Sequence, residues 1–156
     1  MADFKWEYTH SARFNGFDVA PKELTRLLGL KPSLSLAVGE PRGPGIRRVA
    51  KVSVWTRDTK IWKGTTEDVN ESRHLRGLER LVKEMHQRRK IIAKLIPPGE
   101  FFFYTTIYTD SPNVIVSLPS NLSRLIADLN ADYFCSVWGT PRLQQFLDDG
   151  KKKRRR

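Results

Sequence analysis

The order of apolar and polar residues along the chain predicts alternating strands and short helices. Residues 5–14 alternate aromatic and polar side chains and predict a first strand. A leucine stripe after Pro21 predicts a short helix that ends near Gly29. The same reasoning predicts strands at 34–38, 48–56, 101–108, 114–118 and 133–138, a loop at 39–45 and a second short helix at 119–129.

The longest periodic segment covers residues 72–96, where apolar residues at helical spacing form one seam that ends at Pro97-Pro98-Gly99. Two residues rotate a helix by about 200°, so the side chains two positions before the seam face the opposite side. That side is almost entirely basic and predicts a cationic stripe about 30 Å long. The seam consists of Leu75, Leu78, Val82, Met85, Ile92 and Ile96, and the stripe of Arg73, Arg76, Arg80, Lys83, Gln87, Lys90 and Lys94.

Three short motifs near the start of the chain recur near its end. Such internal similarity indicates two related halves in one core, with a chance match of leucine-rich segments as the alternative. The matches are Tyr8-Thr9 with Tyr104-Thr105, 23–28 with 121–126, and Gly39-Glu40-Pro41-Arg42 with Gly139-Thr140-Pro141-Arg142.

These elements predict a single α+β domain over residues 1–148, with a pseudo-symmetric duplicated ferredoxin-like arrangement and a mainly antiparallel sheet that carries helices on one face. Its halves, at about 4–42 and 100–142, are joined by a basic strand region and the long helix at 72–96, and 149–156 form a flexible basic tail. We expect the two short helices to superpose and Tyr8 to match Tyr104. The residues expected in the core are Leu24, Leu27, Leu28, Leu122, Leu125 and Ile126, against a sheet containing Phe102, Tyr104 and Phe134 or their strand neighbours.

The net charge of +11 is concentrated in three segments. Residues 42–63 contain seven basic residues and one acid, 72–96 contain eight basic residues and two acids, and 151–156 contain six basic residues. The rest of the chain is therefore acidic on balance. Clustering of this kind indicates an anionic partner more strongly than a uniformly basic surface does.

Few residue groupings in the sequence suit catalysis or metal binding. His10, His74 and His86 match no metal-ligand spacing, and no phosphate-binding glycine loop or dinucleotide fingerprint occurs. Cys135 lies in an apolar run typical of a buried strand. We therefore expect no catalytic residues, no metal and no cofactor. The single cysteine and the lack of a stretch of about 20 apolar residues favour a cytoplasmic protein without membrane contact.

Four segments, together with the long helix, carry a resemblance to a known family: 21–33, 39–42, Val54-Trp55-Thr56 and 118–122. They resemble an uncharacterised bacterial family, the domain of unknown function 4279. The resemblance covers about residues 4–139 and implies a shared fold. It implies no catalytic or binding residues, and the basic middle segment and the Lys-Arg tail depart from the family pattern.

We interpret the chain as a non-enzymatic protein that binds an anionic macromolecule, with nucleic acid or a nucleoprotein assembly as the favoured partner. Trp55 and Trp62 lie among basic residues and are candidates for base stacking. Arg42 and Arg142 are candidates for a separate anion site, although turn chemistry alone accounts for their repeated motif. The expected partner contacts are Arg73, Arg76, Arg80, Lys83, Lys90, Lys94, Arg47, Arg48, Lys51, Lys151, Lys152, Lys153, Arg154, Arg155 and Arg156.

A second class of function fits the same charges. An immunity or anti-defence inhibitor would use these basic residues to cap an acidic surface of another protein, and the sequence does not separate this role from nucleic-acid binding. A small anionic-ligand-binding domain or an enzyme is the weaker alternative, because residues distant in sequence can form a site together.

Overall fold

Six strands form one mostly antiparallel sheet in the computed structural model, which describes residues 3–139 of the 156-residue chain. The strands are β1 (Trp6–Asn15), β2 (Leu34–Leu36), β3 (Val54–Asp58), β4 (Trp62–Gly64), β5 (Phe101–Thr109) and β6 (Asp132–Trp138). Their order is β2-β3-β1-β5-β6, and β4 pairs with β1 on the same edge as β3. β5 and β6 run parallel, and the other pairs are antiparallel. The predicted α+β fold with a mainly antiparallel sheet is confirmed.

The helices pack their apolar sides against one face of this sheet. They are α1 (Pro21–Leu28), α2 (Thr66–Asn70), α3 (Arg76–His86), α4 (Arg89–Leu95) and α5 (Ser120–Asp128), with a 3-10 turn at Arg73–Leu75. Alternate residues of β1 and β5, among them Phe14 and Phe103, meet Leu24, Leu78 and Leu122 in the main core. Each fully buried side chain of this kind contributes about 1.5–3 kcal/mol. The core therefore fixes which face of each strand points toward the helices.

The two short helices lie where the sequence predicts them. Gly29 ends α1 in the left-handed conformation at φ 64°, and its amide donates to the Thr25 carbonyl. The equivalent positions Leu27 and Leu125 lie at the margin of the stripe and remain partly exposed, contrary to the prediction. The other four predicted core residues are buried: Leu24, Leu28, Leu122 and Ile126.

The two halves differ in how their strands connect. β6 pairs directly with β5, whereas β2 is separated from β1 by β3. Tyr8 faces the core and Tyr104 lies on the opposite face of the sheet, so the predicted match between these tyrosines is wrong. The reason is the two-residue period of a strand: β1 buries even-numbered residues, and β5 buries odd-numbered ones.

The predicted continuous helix at 72–96 is wrong, because the segment begins with a 3-10 turn and is interrupted once after His86. Ser72, at φ 60°, separates α2 from the 3-10 turn. The interruption lies at Gln87-Arg88, between α3 and α4. There the Arg88 guanidinium donates to the Glu84 carbonyl at 2.8 Å and to the Leu28 carbonyl, and so binds the ends of α3 and α1. The cationic stripe is therefore not continuous, and α3 alone is about 16 Å long.

Two predicted strands are also wrong or too long. Residues 48–53 belong to the loop before β3, where Val49 and Val52 remain exposed. Residues 114–118 form no strand, because β1 and β6 already pair with both edges of β5. The segment crosses the core side instead, with Val114 and Leu118 packed inward.

Candidate nucleic-acid interface

A bulge between β3 and β4 forms one wall of a groove. The Thr59 amide donates to the His10 carbonyl at 2.8 Å, and the Thr59 hydroxyl accepts from the His10 amide at 3.0 Å. α3 passes closest at Gly77, where an added Cβ would lie 3.4 Å from the Thr59 methyl group. A side chain larger than alanine at position 77 would push the helix away from the bulge.

The groove between this bulge and α3 has a volume of about 520 Å³. Five basic residues and two acids line it, so its charge is positive. The basic residues are Arg57, Lys60, Arg73, Arg76 and Arg80, and the acids are Asp58 and Glu84. The structure thus brings three predicted residues of α3 and its preceding turn together with two cations from the other wall.

Two of the five cations are held by acids. Arg57 pairs with Glu84 at 3.0 Å and also donates to the Lys31 carbonyl at 2.7 Å. Arg73 pairs with Asp68 at 2.9 Å and with Glu71 at 2.6 Å. Asp68 closes a capping box with Thr65 at the start of α2, and these hydrogen bonds, more than the nearby Arg73, hold its pKa below the ordinary value.

The other three cations of the groove have no such partner. Arg76, Arg80 and Lys60 make no ion pair or side-chain hydrogen bond with any residue in the described range 3–139. Like charges on neighbouring turns of a helix repel one another. An anion bound in the groove would remove this repulsion and satisfy donors that the protein itself leaves to solvent.

A buried hydrogen-bond relay fixes the start of α3 against the sheet. The Tyr133 hydroxyl donates to Thr105 Oγ1 at 2.8 Å, and Thr105 Oγ1 lies 2.9 Å from His10 Nδ1. His10 Nε2 lies 2.9 Å from the His74 carbonyl, which only accepts, so Nε2 carries the proton and Nδ1 accepts. The relay joins β6, β5 and β1 to the 3-10 turn and so positions the groove arginines that follow it.

Burial disfavours the charged form of both histidines in this region. Desolvation lowers the pKa of His10, opposed by its bond to the His74 backbone. Desolvation, and then the neighbouring His10, lowers the pKa of His74 to about 4. The His74 ring lies 4.5 Å from the Tyr8 ring, and its buried Nδ1 has no hydrogen-bond partner in the described structure.

We expect the stability of the protein to fall as the pH drops from 7 to 5. A folded-state pKa below the unfolded value means that the unfolded chain binds the proton first, so stability is complete above about pH 6.5 and is lost toward pH 4. The free energy of unfolding, measured with urea, should fall by about 1–2 kcal/mol over this range. His74→Phe keeps the packing against Tyr8 and should remove about half of the decrease. An unchanged pH dependence in this variant would contradict the assignment.

The relay fits a structural role. The His10 ring is buried, and both of its nitrogens make hydrogen bonds.

Within residues 3–139 no three side chains of His, Cys, Asp or Glu lie close enough together to hold a metal ion. Cys135 is half-buried in β6, and burial raises the pKa of its thiol, which disfavours the nucleophilic thiolate. The expected absence of an enzyme activity and of a cofactor stays a prediction.

The remaining predicted contacts lie outside the groove. Lys83 is on α3 but pairs with Glu79 at 3.4 Å, and Lys90 and Lys94 belong to α4 beyond the helix break. The cations of the loop between β2 and β3 are exposed, and none lines the groove: Arg42, Arg47, Arg48 and Lys51. Arg142 and the tail residues Lys151, Lys152, Lys153, Arg154, Arg155 and Arg156 lie outside the described residues.

The two candidate stacking tryptophans are packed inside the protein. Trp55 is completely buried, and its indole donates to Thr25 Oγ1 at 3.0 Å, so its proposed contact with bases is wrong. Trp62 is half-buried, with its ring 5.7 Å from the Tyr8 ring and 6.0 Å from the His74 ring. Its burial follows from the register of β4 on β1, which places Trp62 opposite Tyr8.

Sequence reasoning missed a set of aromatic side chains on the sheet face opposite the helices. They are Phe102, Tyr104 and Tyr108 of β5 and Phe134 and Trp138 of β6. Phe134 is 50% exposed and Trp138 is 53% exposed. In β5 the odd-numbered residues are buried and the even-numbered ones are partly exposed. A dense aromatic run predicts a strand but not which half of it faces solvent.

No helix within residues 3–139 is long and apolar enough to cross a membrane.

Comparison of the sequence with known proteins identifies the family of the chain. Neither the curated proteins nor the solved structures include a match to the chain. A family model described as Domain of unknown function (DUF4279) matches residues 7–138, which include the groove, the relay and the aromatic face. The chain therefore belongs to the DUF4279 family.

Proposed function

We propose that this protein binds nucleic acid without catalysing a reaction, and that the groove between α3 and the β3–β4 bulge holds the phosphate backbone. One observation carries the proposal: Arg76, Arg80 and Lys60 converge on one groove, and none has a partner among the described residues. Arginine side chains recognise phosphate oxygens through a planar fork of donors. Arg57 and Arg73, which are paired with acids, would position the phosphate backbone on either side of these three residues.

Counterion release would supply most of the affinity. Each phosphate neutralised by Lys or Arg frees condensed counterions, and this contribution does not depend on base sequence. The chain carries no known base-reading motif, so binding is proposed to be non-sequence-specific. The exposed loop cations Arg47, Arg48 and Lys51, and the basic tail at 149–156, would add long-range attraction without forming the groove.

A titration of the wild-type protein tests this proposal. Duplex and single-stranded DNA and RNA are titrated at about 50 and about 200 mM salt, with binding followed by fluorescence anisotropy. Three phosphate contacts give a log–log salt slope of about −2.7 on duplex, and so a loss of about 40-fold in affinity between these concentrations. Absence of binding at the lower salt concentration, or an affinity that does not respond to salt, would refute the proposal.

A protein-interaction module is the second candidate, and the loop between β2 and β3 favours it. Ile46, Val49 and Val52 are exposed in this loop among the basic residues Arg47 and Arg48. Exposed aliphatic side chains suit a protein surface better than a phosphate backbone. An immunity or anti-defence inhibitor that caps an acidic partner would use this combination. A stoichiometric protein partner from the native host that survives nuclease treatment would favour it over nucleic-acid binding.

We also propose that the chain arose by duplication of a ferredoxin-like unit. The support is the equivalent burial of Leu24 with Leu122 and of Leu28 with Ile126 in the two short helices. In this view β3 was inserted between β1 and the return strand of the first half, which moved β2 to the edge.

We propose in addition that the protein is cytoplasmic, a location that suits a chain with one cysteine.

A further inference from the structure

The sheet face opposite the helices, here called the aromatic face, has an ordered arrangement of side chains. At one end, Phe102 and Phe134 contact edge to face at 5.6 Å, with Tyr104 directly opposite Phe134. At the other end, the rings of Tyr108 and Trp138 stack at 6.2 Å and 17°. Tyr104 and Tyr108 are four residues apart on β5, which separates the two clusters by about 13 Å.

A row of hydroxyl groups lies between the two aromatic clusters. Thr9 of β1 pairs with Thr106 of β5, and Thr106 pairs with Ser136 of β6, so the three side chains cross the sheet in one line. Hydroxyl groups both donate and accept hydrogen bonds and so suit base edges and sugar oxygens. The aromatic face therefore alternates flat ring surfaces with polar groups.

The apolar side chains that β5 and β6 place on this face are all aromatic. The even-numbered positions of β5 and β6, between Phe102 and Trp138, hold aromatic or hydroxyl residues and one acid, Asp132, with no aliphatic side chain. β1 contributes Arg13, whose guanidinium carbon lies 5.8 Å from the centre of the Phe102 ring. Unpaired bases of any sequence stack on exposed aromatic rings, which favours single-stranded nucleic acid as the occupant of the β5–β6 part of the face.

We propose that the aromatic face binds the unpaired bases of single-stranded nucleic acid, while the groove at α3 holds the phosphate backbone; the inference rests on the proposed function. Lys63 lies opposite Glu7 on this face, and it follows directly after Trp62, which lines the groove. The β3–β4 segment therefore joins the two surfaces without a gap in sequence. Bases within a duplex are already stacked on one another, so duplex would use the groove alone.

The aromatic face and the groove differ in charge and therefore in the salt dependence that each would give to binding. The strand positions of the aromatic face carry Arg13 and Lys63 together with Glu7, Asp58 and Asp132, so this face has no excess of positive charge. Stacking there would contribute affinity with little salt dependence. The groove, with its unpaired cations, would set the salt dependence. This division allows the two surfaces to be tested separately.

The experiment compares binding of a strand of about 16 nucleotides with binding of the duplex of the same length. Two double variants remove one aromatic cluster each: Tyr104→Ala with Phe134→Ala, and Tyr108→Ala with Trp138→Ala. Each should lower single-strand affinity by about 5- to 100-fold, and duplex affinity and the salt slope should stay as in the wild type. Val137→Ala, which removes an exposed aliphatic side chain from the same strand, should change neither.

Fluorescence provides a second readout that does not need the alanine variants to fold. Trp138 is half exposed, Trp6 and Trp55 are buried, and Trp62 lines the groove that strand and duplex would share. Quenching by single strand beyond that by duplex should therefore come from Trp138, and Trp138→Phe should abolish this difference while retaining most of the affinity.

The outcomes separate this inference from the proposed function. Salt-dependent duplex binding with single-strand affinity unaltered in both double variants would overturn the inference and leave the function standing. Binding of neither strand nor duplex by the wild type would overturn both. A wild-type dimer in sedimentation that the Tyr104→Ala and Phe134→Ala changes dissociate would show instead that the aromatic face joins two copies of the chain.

Discussion

Replacing Arg76 and Arg80 together by glutamate should lower the affinity for nucleic acid by at least about 100-fold at low salt. Each arginine is expected to make a charge-assisted hydrogen bond to phosphate worth about 1.5–3 kcal/mol, and each glutamate adds repulsion. The log–log salt slope should become shallower by about 2, one unit for each lost contact. Neither arginine has a partner among the described residues, so the melting temperature should change little. Anisotropy titrations and thermal unfolding measure the two effects.

A control double variant has the same net charge as the Arg76 and Arg80 double variant. Lys22→Glu on α1 with Arg124→Glu on α5 makes the same change in net charge at exposed positions that do not line the groove. This control should weaken binding by less than about tenfold, through long-range electrostatics alone. Equal losses in the two double variants would show that overall charge, and not the groove, determines binding.

Trp55→Ala should lower the free energy of unfolding by about 3–5 kcal/mol. The Trp55 ring is completely buried and stacks on Phe14 with 5.3 Å between ring centres, and its indole donates to Thr25 on α1. The substitution therefore opens a cavity and removes the hydrogen bond between β3 and α1. Domains of ordinary stability have about 5–15 kcal/mol in total, so this single change removes a large share. Urea unfolding followed by circular dichroism measures the loss.

Trp138→Ala is the control for the Trp55 variant, because it makes the same chemical change at a half-exposed position on the aromatic face. It should cost less than about 1 kcal/mol. If Trp55→Ala does not fold, Trp55→Phe should still unfold at lower urea than the wild type, since it keeps a ring but loses the bond to Thr25. Similar costs at positions 55 and 138 would show that the burial of these side chains has been assigned wrongly.

The core-facing pattern of the short helices could be predicted from sequence because it depends on local periodicity. Leucine spacing after Pro21 and after Pro119 predicts α1 and α5 nearly to the residue, and the terminating Gly29 adopts the expected left-handed conformation. The positions of β1, β5 and β6 follow equally from local composition, which is rich in β-forming residues. These elements needed no knowledge of their neighbours.

The segment between residues 66 and 96 shows where local periodicity is insufficient. The apolar seam from Leu75 to Ile96 is present and largely buried, yet the backbone breaks within it. At the break, Arg88 binds carbonyl groups on two helices at once. Such a contact joins residues far apart in sequence, so helical spacing carries no sign of it.

The sequence by itself determined the α+β class, the position of most elements, the family and the excess of positive charge. Tertiary structure decided which of these charges share a groove and which are paired. Arg57 and Arg73 form ion pairs there, whereas Arg76, Arg80 and Lys60 have no partner among the described residues. It also decided which aromatic rings of β5 face solvent, since register against β1 and the helices selects the buried half. Composition counts side chains, but only the packing of distant segments sets their partners and exposure.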